Sequence, residues 1–283
     1  MAMEATGVTR RDRFSTCANL FLAIGGLIGA LALAGCAAGV VGVPESAELV
    51  GEHPFPLRET TFGHQAHEVH GIDVAKFQAS VAWPEVRASG IDFAFIKATE
   101  GGDRLDEMFA DNWNAARDAG LPRGAYHFNY WCSPMAAQAE WFKRNVPVDP
   151  GALPPVLDLE WNFQSPTCPR KVARDHAIGE IRTFVEAIEK HYRKRPILYT
   201  DIVFHRDVLS DGAFSDYPLW VRAVKDLPQT KYPGRRWAFW QYTERGAVPG
   251  IRGAVDKNAF AGTRAQWRKL VETAFVAENQ GRR

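Results

Sequence analysis

The sequence predicts an α/β protein: one compact, irregular, closed β/α barrel in a single domain, preceded by a signal peptide and a tether. Three observations predict it. From about residue 70 onward, short apolar runs alternate with amphipathic stretches of helical period, the pattern of parallel β/α units. About eight such runs fall within roughly 205 residues, the number of strands a closed barrel uses. No Gly-rich phosphate loop follows the first apolar run, which removes the main support for an open, doubly wound sheet. Composition agrees, because 46% hydrophobic and 24% charged residues over 283 positions exclude disorder and coiled coil. With 34 Lys+Arg against 33 Asp+Glu there is no basic excess, so no nucleic-acid partner is expected. An aromatic content of 12% in a nearly uncharged chain suits flat, uncharged ligands such as sugars, although any single ring is more often core.

Residues 1–35 read as a lipoprotein signal peptide. Arg10, Arg11 and Arg13 form a positive leader, and the apolar run over 20–34 is shorter than the ~20 residues of a membrane-spanning helix. The run ends in Leu33-Ala34-Gly35-Cys36, which resembles a bacterial lipobox, where Cys36 is acylated and becomes the mature N-terminus. An ordinary secretory signal with a nearby cleavage site is the alternative; the residues after Arg10-Arg11 fit a twin-arginine signal poorly. Residues 36–69 carry Gly, Pro and Glu without a sustained apolar period and read as a flexible tether. His53, His64, His67 and His70 lie in or beside it. They lack the Cys or carboxylate partners of zinc patterns, so they read as solvated and no metal is expected.

The barrel domain spans 70–275, with a tail over 276–283. Its strands are expected at 71–74, 93–97, 125–130, 155–159, 196–199, 219–221, 237–242 and 254–255. Between them, 83–89 opens in a Trp-Pro helix start, 108–119 is ended by Gly120, and 134–145 forms a third helix. The longest helical pattern is 170–192, with Ile178, Ile181, Phe184, Val185 and Ile188 on one face. Too little chain remains near the end for every strand to carry a helix, hence an irregular, TIM-like barrel. Export leaves Cys132 and Cys168 as one pair in an oxidising compartment once Cys17 goes with the leader and Cys36 takes lipid. A disulfide between the loops after the third and fourth strands is the economical reading; two buried free thiols are the alternative.

Acids stand at strand ends. Asp73 lies in the first strand, Asp158 and Glu160 end the fourth, and Asp256 follows the last. Alternate residues of a strand share a face, so Asp158 and Glu160 point the same way, about 7 Å apart at Cβ. The C-terminal strand ends of a β/α barrel form the active-site rim, where carboxyls from different strands converge and raise one another's proton affinity. One proton donor beside ionised carboxylates is the equipment for cleaving a glycosidic bond. Asp92, Asp106 and Asp111 read as caps or surface acids.

Several strings then stand in a familiar order: His70-Gly71-Ile72-Asp73-Val74, Phe95-Ile96-Lys97-Ala98-Thr99-Glu100-Gly101, Gly124-Ala125-Tyr126-His127-Phe128, Pro155-Val156-Leu157-Asp158-Leu159-Glu160, Pro196-Ile197-Leu198-Tyr199-Thr200, Leu219-Trp220-Val221 and Trp240-Gln241-Tyr242. With Val255-Asp256-Lys257-Asn258 near the end, this resembles glycoside hydrolase family 25, the Chalaropsis-type lysozymes or N-acetylmuramidases, from about His70 to Trp267. The resemblance implies a retaining hydrolase of the β-1,4 bond between N-acetylmuramic acid and N-acetylglucosamine. It implies Glu160 as proton donor and Asp158 as the acid that positions or stabilises the reacting sugar, with Asp73 and Asp256 as supporting acids. Whether a carboxylate or the substrate's 2-acetamido group serves the second step stays open, with acetamido participation favoured. Tyr126 matches a position near the reacting sugar. Trp240 and Tyr242 are candidate sugar contacts or core, and Glu100 is a substrate contact or a loop-ordering acid. Lys97 should pair with a pocket carboxylate, and His127 should point away from the barrel interior. Trp131 and Trp161 either line the glycan groove or support its loops. Two departures stand out: Val74-Ala75-Lys76-Phe77-Gln78 replaces the usual polar run, and the loop 162–169 contains Cys168.

The implied partners are peptidoglycan glycan strands and, through lipidated Cys36, a membrane; no cofactor is expected, and the protein should be a monomer. The expected location is the cell envelope, lipid-anchored and facing the periplasm, with Ala37 in place of Asp favouring outer-membrane sorting. Two other functions remain compatible with these residues: a hydrolase of another envelope or exported glycan, and a catalytically weak glycan-binding lipoprotein.

Overall fold

The structure is a computed structural model that describes residues 63–280; the signal-peptide segment, Cys36 and the tether up to residue 62 lie outside the described residues. In chain order the elements are β1 (His70–Val74), α1 (Trp83–Ala88), β2 (Phe93–Glu100), β3 (Arg104–Leu105), α2 (Phe109–Asp118), β4 (Arg123–Phe128), α3 (Met135–Asn145), β5 (Val156–Leu159), α4 (Arg174–Tyr192) and β6 (Ile197–Thr200). They continue with α5 (Ile202–Phe204), β7 (Leu219–Arg222), α6 (Pro228–Lys231), β8 (Phe239–Gly246), β9 (Val255–Phe260) and α7 (Arg264–Gln280). Strands β1, β2, β4, β5, β6, β7 and β8 pair in parallel around the barrel. Strand β9 closes it, antiparallel to both β8 and β1.

The predicted barrel is therefore present, with a last strand that runs the other way. The reason is connection length. A parallel neighbour needs a crossover of roughly a dozen residues or more, and only residues 247–254 join β8 to β9. Strand β3 was not foreseen: two exposed residues paired against Thr99 and Glu100 leave no apolar signature. Helix α7 continues through Gln280, past the expected start of the tail.

Strand alternation sorts the side chains into two cores. Inside the barrel, Phe93, Phe95, Val156, Ile197, Trp220, Phe239 and Phe260 pack as one cluster, with the Phe95 and Trp220 rings 4.6 Å apart and Phe93 and Phe239 5.3 Å apart. Outside it, Ile72, Ile96, Leu157, Leu198 and Val221 meet the apolar faces of the helices, including Ile181, Phe184, Val185 and Ile188 of α4. The inner cluster is rings where a strand must come close, so Gly71 has no substitute: a Cβ there would lie 2.4 Å from the Phe93 ring. The aromatic plug fills the barrel around the N-terminal halves of its strands, leaving the other end to polar groups.

Of the histidines read as solvated, His53 lies outside the described residues, and His64, His67 and His70 are built into the barrel wall. His67 is buried and its Nδ1 lies 3.1 Å from the Phe260 carbonyl, His64 stacks on Tyr242 at 4.1 Å, and the Val69 carbonyl accepts from Phe260 N–H. Periodicity could not show this, because a segment that lies along a wall in a short 3₁₀ turn (His64–Ala66) repeats nothing.

Candidate active site

The register of the barrel gathers the site. Asp73 of β1 stands opposite Asp256 of β9, Gln241 of β8 opposite Asn258 of β9, and Asp158 of β5 beside Tyr199 of β6, which is beside Trp220 of β7. All of these but Asn258, together with Lys97, Tyr126, Glu160 and Arg222, line a pocket of about 290 Å³ at the C-terminal strand ends. Among the predicted acids, Asp73, Asp158, Glu160 and Asp256 do converge.

Hydrogen bonds fix the floor. Asn258 Nδ2 donates to Asp73 Oδ2 at 2.8 Å, and Gln241 Nε2 donates to the same oxygen at 3.1 Å and to Asp256 Oδ2 at 3.4 Å. Behind the amides, Trp220 Nε1 donates to Asn258 Oδ1 at 2.8 Å and Tyr199 OH to Gln241 Oε1 at 2.9 Å. Arg222 pairs with Glu244, and both line the pocket. Lys97 pairs with Glu100 at 2.7 Å, which holds the Glu100 carboxyl below its ordinary range even though burial pushes it up.

Burial raises the proton affinity of every converging acid. Asp158 is held well above the ordinary carboxylate range by burial and by Glu160, with Lys97 opposing. Glu160 is raised to about 7 by burial and the Asp201 charge, and Asp256 to about 8 by burial and Asp73. Asp73 is raised by burial, while the amides of Asn258 and Gln241 pull it back. The Tyr126 hydroxyl is pushed up by burial and by the Asp73 and Asp158 charges, so it stays a donor. Among the described residues no cluster of His, Cys, Asp or Glu is arranged to hold a metal.

Other candidates go elsewhere. Trp240 and Tyr242 flank Gln241 on β8, and since Gln241 faces inward they face out: Trp240 is buried with its Nε1 on the Ala223 carbonyl, and Tyr242 packs on His64 and His70. Neither reaches the pocket. Glu100 sits in a neighbouring depression with Arg104, ordering the β2–β3 hairpin. His127 points away from the barrel interior, as its place between Tyr126 and Phe128 predicts, bonded to Thr99 and Gln138 and lowered to about 4 by burial. Trp131 and Trp161 are buried supports; the Trp131 Nε1 donates to the Glu160 carbonyl at 2.9 Å, and both rings pack on Phe204. Cys132 and Cys168 form the expected disulfide, with Cα atoms 5.8 Å apart, joining the loop after β4 to the loop after Glu160.

Sequence reasoning missed Arg222, Glu244 and Asp201, and quoted Gln241, Tyr199, Trp220 and Asn258 without a role. A signal for Gln241 was present: an amide between two aromatics on a strand must face the opposite side from them.

A β/α barrel whose C-terminal end gathers carboxyls, with proton affinities raised into the neutral range, has the equipment of a glycoside hydrolase. The sequence profile of Glycosyl hydrolases family 25 matches residues 72–251, and the chain belongs to that family. It is 36% identical over 212 residues to the uncharacterized protein YegX of Escherichia coli K12, covering 73% of this chain and 75% of that one. It is 34% identical over 209 residues to Lysozyme M1 of Streptomyces globisporus, covering 70% of this chain and 69% of that one. The structure of a family 25 glycosyl hydrolase from Bacillus anthracis superposes with a TM-score of 0.66 at 35% identity, over 75% of this chain and 95% of that one.

Proposed function

We propose that the protein is an N-acetylmuramidase that cleaves the β-1,4 bond between N-acetylmuramic acid and N-acetylglucosamine in peptidoglycan. The observation that carries this is Glu160 at the mouth of the pocket, raised to about 7 beside the deeper Asp158, in a family whose relatives include Lysozyme M1. Protonated Glu160 delivers its proton to the leaving oxygen as the glycosidic bond breaks. Asp158 then serves as the anion. A substrate acetamido group brings an N–H to Asp158, whose Oδ1 is buried and without a protein partner; accepting it favours the ionised form and leaves the proton on Glu160. The positive charge that develops on the sugar or its participating acetamide is thereby balanced; water, giving a proton back to the Glu160 carboxylate, then attacks C1 from the face the leaving group left, so that the configuration is retained. Asp73, Asp256 and Tyr126 support the reacting sugar.

The same reading places the protein in the cell envelope as a monomer, held to a membrane by acylated Cys36. One acyl chain anchors only marginally, so several are implied. The test is to incubate the full chain in detergent with purified peptidoglycan and identify the reducing ends by mass spectrometry. Muramic acid ends are expected. N-acetylglucosamine ends, or no cleavage of peptidoglycan alongside cleavage of another glycan, overturn the assignment.

A further inference from the structure

Trp220 and Tyr199 reach the pocket acids through other side chains. An indole N–H can only donate, so the oxygen of the Asn258 amide faces Trp220 and its NH₂ faces Asp73. The Tyr199 hydroxyl on Gln241 Oε1 turns the second amide the same way. Asp73 Oδ2 thus receives two N–H donors whose orientation is set from behind, and two such donors favour the ionised form of a carboxyl. Asp256 is directly opposite Asp73 in the β1–β9 register and hydrogen-bonded to it, and its own share of Gln241 is the longer contact at 3.4 Å. Two carboxyls so close hold one proton between them.

We propose that Trp220 and Tyr199 are positioning residues which, by fixing the amides of Asn258 and Gln241, assign the proton of the Asp73–Asp256 pair to Asp256, so that Asp256 meets the sugar as a neutral hydrogen-bond donor. This rests on the muramidase reading only for the identity of the sugar. The groups facing Asp256 agree in sign. Asp73 on β1, Glu244 on β8 and Glu160 across the pocket oppose its ionisation, Tyr126 on β4 stays neutral, and Arg222 on β7 is the opposing cation, itself committed to Glu244. Burial and Asp73 set the midpoint of Asp256 at about 8. The pocket then contains two groups that must be protonated, Glu160 and Asp256, which lose their protons at about 7 and about 8.

The test follows the carboxyl carbons of the full chain labelled with ¹³C at aspartate, assigned from Asp73→Asn and Asp256→Asn. Wild-type Asp256 is expected to titrate above neutrality. Trp220→Phe keeps a ring but removes the N–H, freeing Asn258 to rotate, and the Asp256 midpoint should fall by at least about one pH unit, a tenfold change in proton affinity. Tyr199→Phe acts on Gln241 independently and should shift it in the same direction, which keeps the test alive if either variant misfolds. In turnover, wild-type kcat should fall about tenfold per pH unit between about 7 and about 8 and about a hundredfold per unit above. In Trp220→Phe the steeper slope should begin about one unit lower. An Asp256 midpoint at the ordinary carboxylate value in wild type, or one unmoved in both folded variants, overturns the proposal. The titration needs no substrate, so a failure to cleave peptidoglycan with these shifts intact would count against the muramidase reading alone.

Discussion

Glu160→Gln is the sharpest perturbation available, because it preserves the shape of the side chain and removes only its proton. Burial and the Asp201 charge hold Glu160 at about 7. At pH 6 roughly nine tenths of the molecules therefore have it protonated, and at pH 8 roughly one tenth. A glutamate at its ordinary value would be almost wholly ionised at both. A general acid contributes ~10²–10⁴-fold, so the variant should lose at least that factor in kcat on peptidoglycan at pH 6 while its melting temperature is kept or raised. The assay is the initial rate of reducing-end release from pH 4 to pH 9. Wild type should show an alkaline limb with its first midpoint near 7, and the residual activity of Glu160→Gln should lack that midpoint. Asp158→Asn should also be severe, since the developing positive charge loses its anion, yet its residual activity should keep the midpoint near 7. Near-normal turnover by Glu160→Gln would refute the reasoning and make Asp256 the next candidate acid. Loss of the midpoint in Asp158→Asn with Glu160 intact would show that the two roles are exchanged.

Three further outcomes are expected. Removing the Cys132–Cys168 bridge, which closes a separation of 36 residues, costs about 4 kcal/mol in the chain-entropy model, or roughly 8–16 °C of melting temperature in a barrel of this size; calorimetry of the Cys132→Ala, Cys168→Ala double variant checks it, and an unchanged melt would mean the native loops hold without it. Stability should fall from about pH 6.5 towards pH 8: Glu160 and Asp256 bind protons in the native state that the unfolded chain has released above its ordinary carboxylate range, and the gain from His127 and His205, lowered to about 4, which offsets that loss at lower pH, ends at about 6.5. Melting across this range in Glu160→Gln, Asp256→Asn should lose the decline; persistence of the full decline would place its origin elsewhere. Cys36→Ser should release the protein from membranes or leave its leader uncleaved, as fractionation and N-terminal mass will show, and a processed variant still on the membrane would exclude acylation at this residue.

The parts of the fold that repeat were legible. Parallel β/α units announce themselves through apolar runs at strand spacing, and β1, β2 and β4–β8 lie where those runs are. What escaped prediction lacks a period. The β9 reversal depends on a loop being too short for a helix, the β3 hairpin is two polar residues, and the His64–His67 segment packs through individual rings. The acids at strand ends were legible for a different reason: Asp158 beside a buried Leu157 has no structural excuse for its charge. Trp240 and Tyr242 stayed open between sugar contact and core because an aromatic in a strand says nothing about which face it occupies. That depends on Gln241, the one residue in the triplet whose inward position can be argued from the acids it must reach.

The alternation that builds the core also builds the chemistry. Inward positions of the strands hold rings towards one end of the barrel, and a few residues further along they hold acids and amides: Phe95 is followed at the next inward position by Lys97, Val156 by Asp158, Phe239 by Gln241. The ring cluster excludes water from beneath the acids, and low local polarity is what lifts Asp158, Glu160 and Asp256 out of the ordinary carboxylate range. A substitution that admits water into the plug should therefore reach the pH profile without touching the pocket. Phe95, stacked on Trp220 whose indole in turn holds Asn258, is the position where packing and proton placement meet most directly.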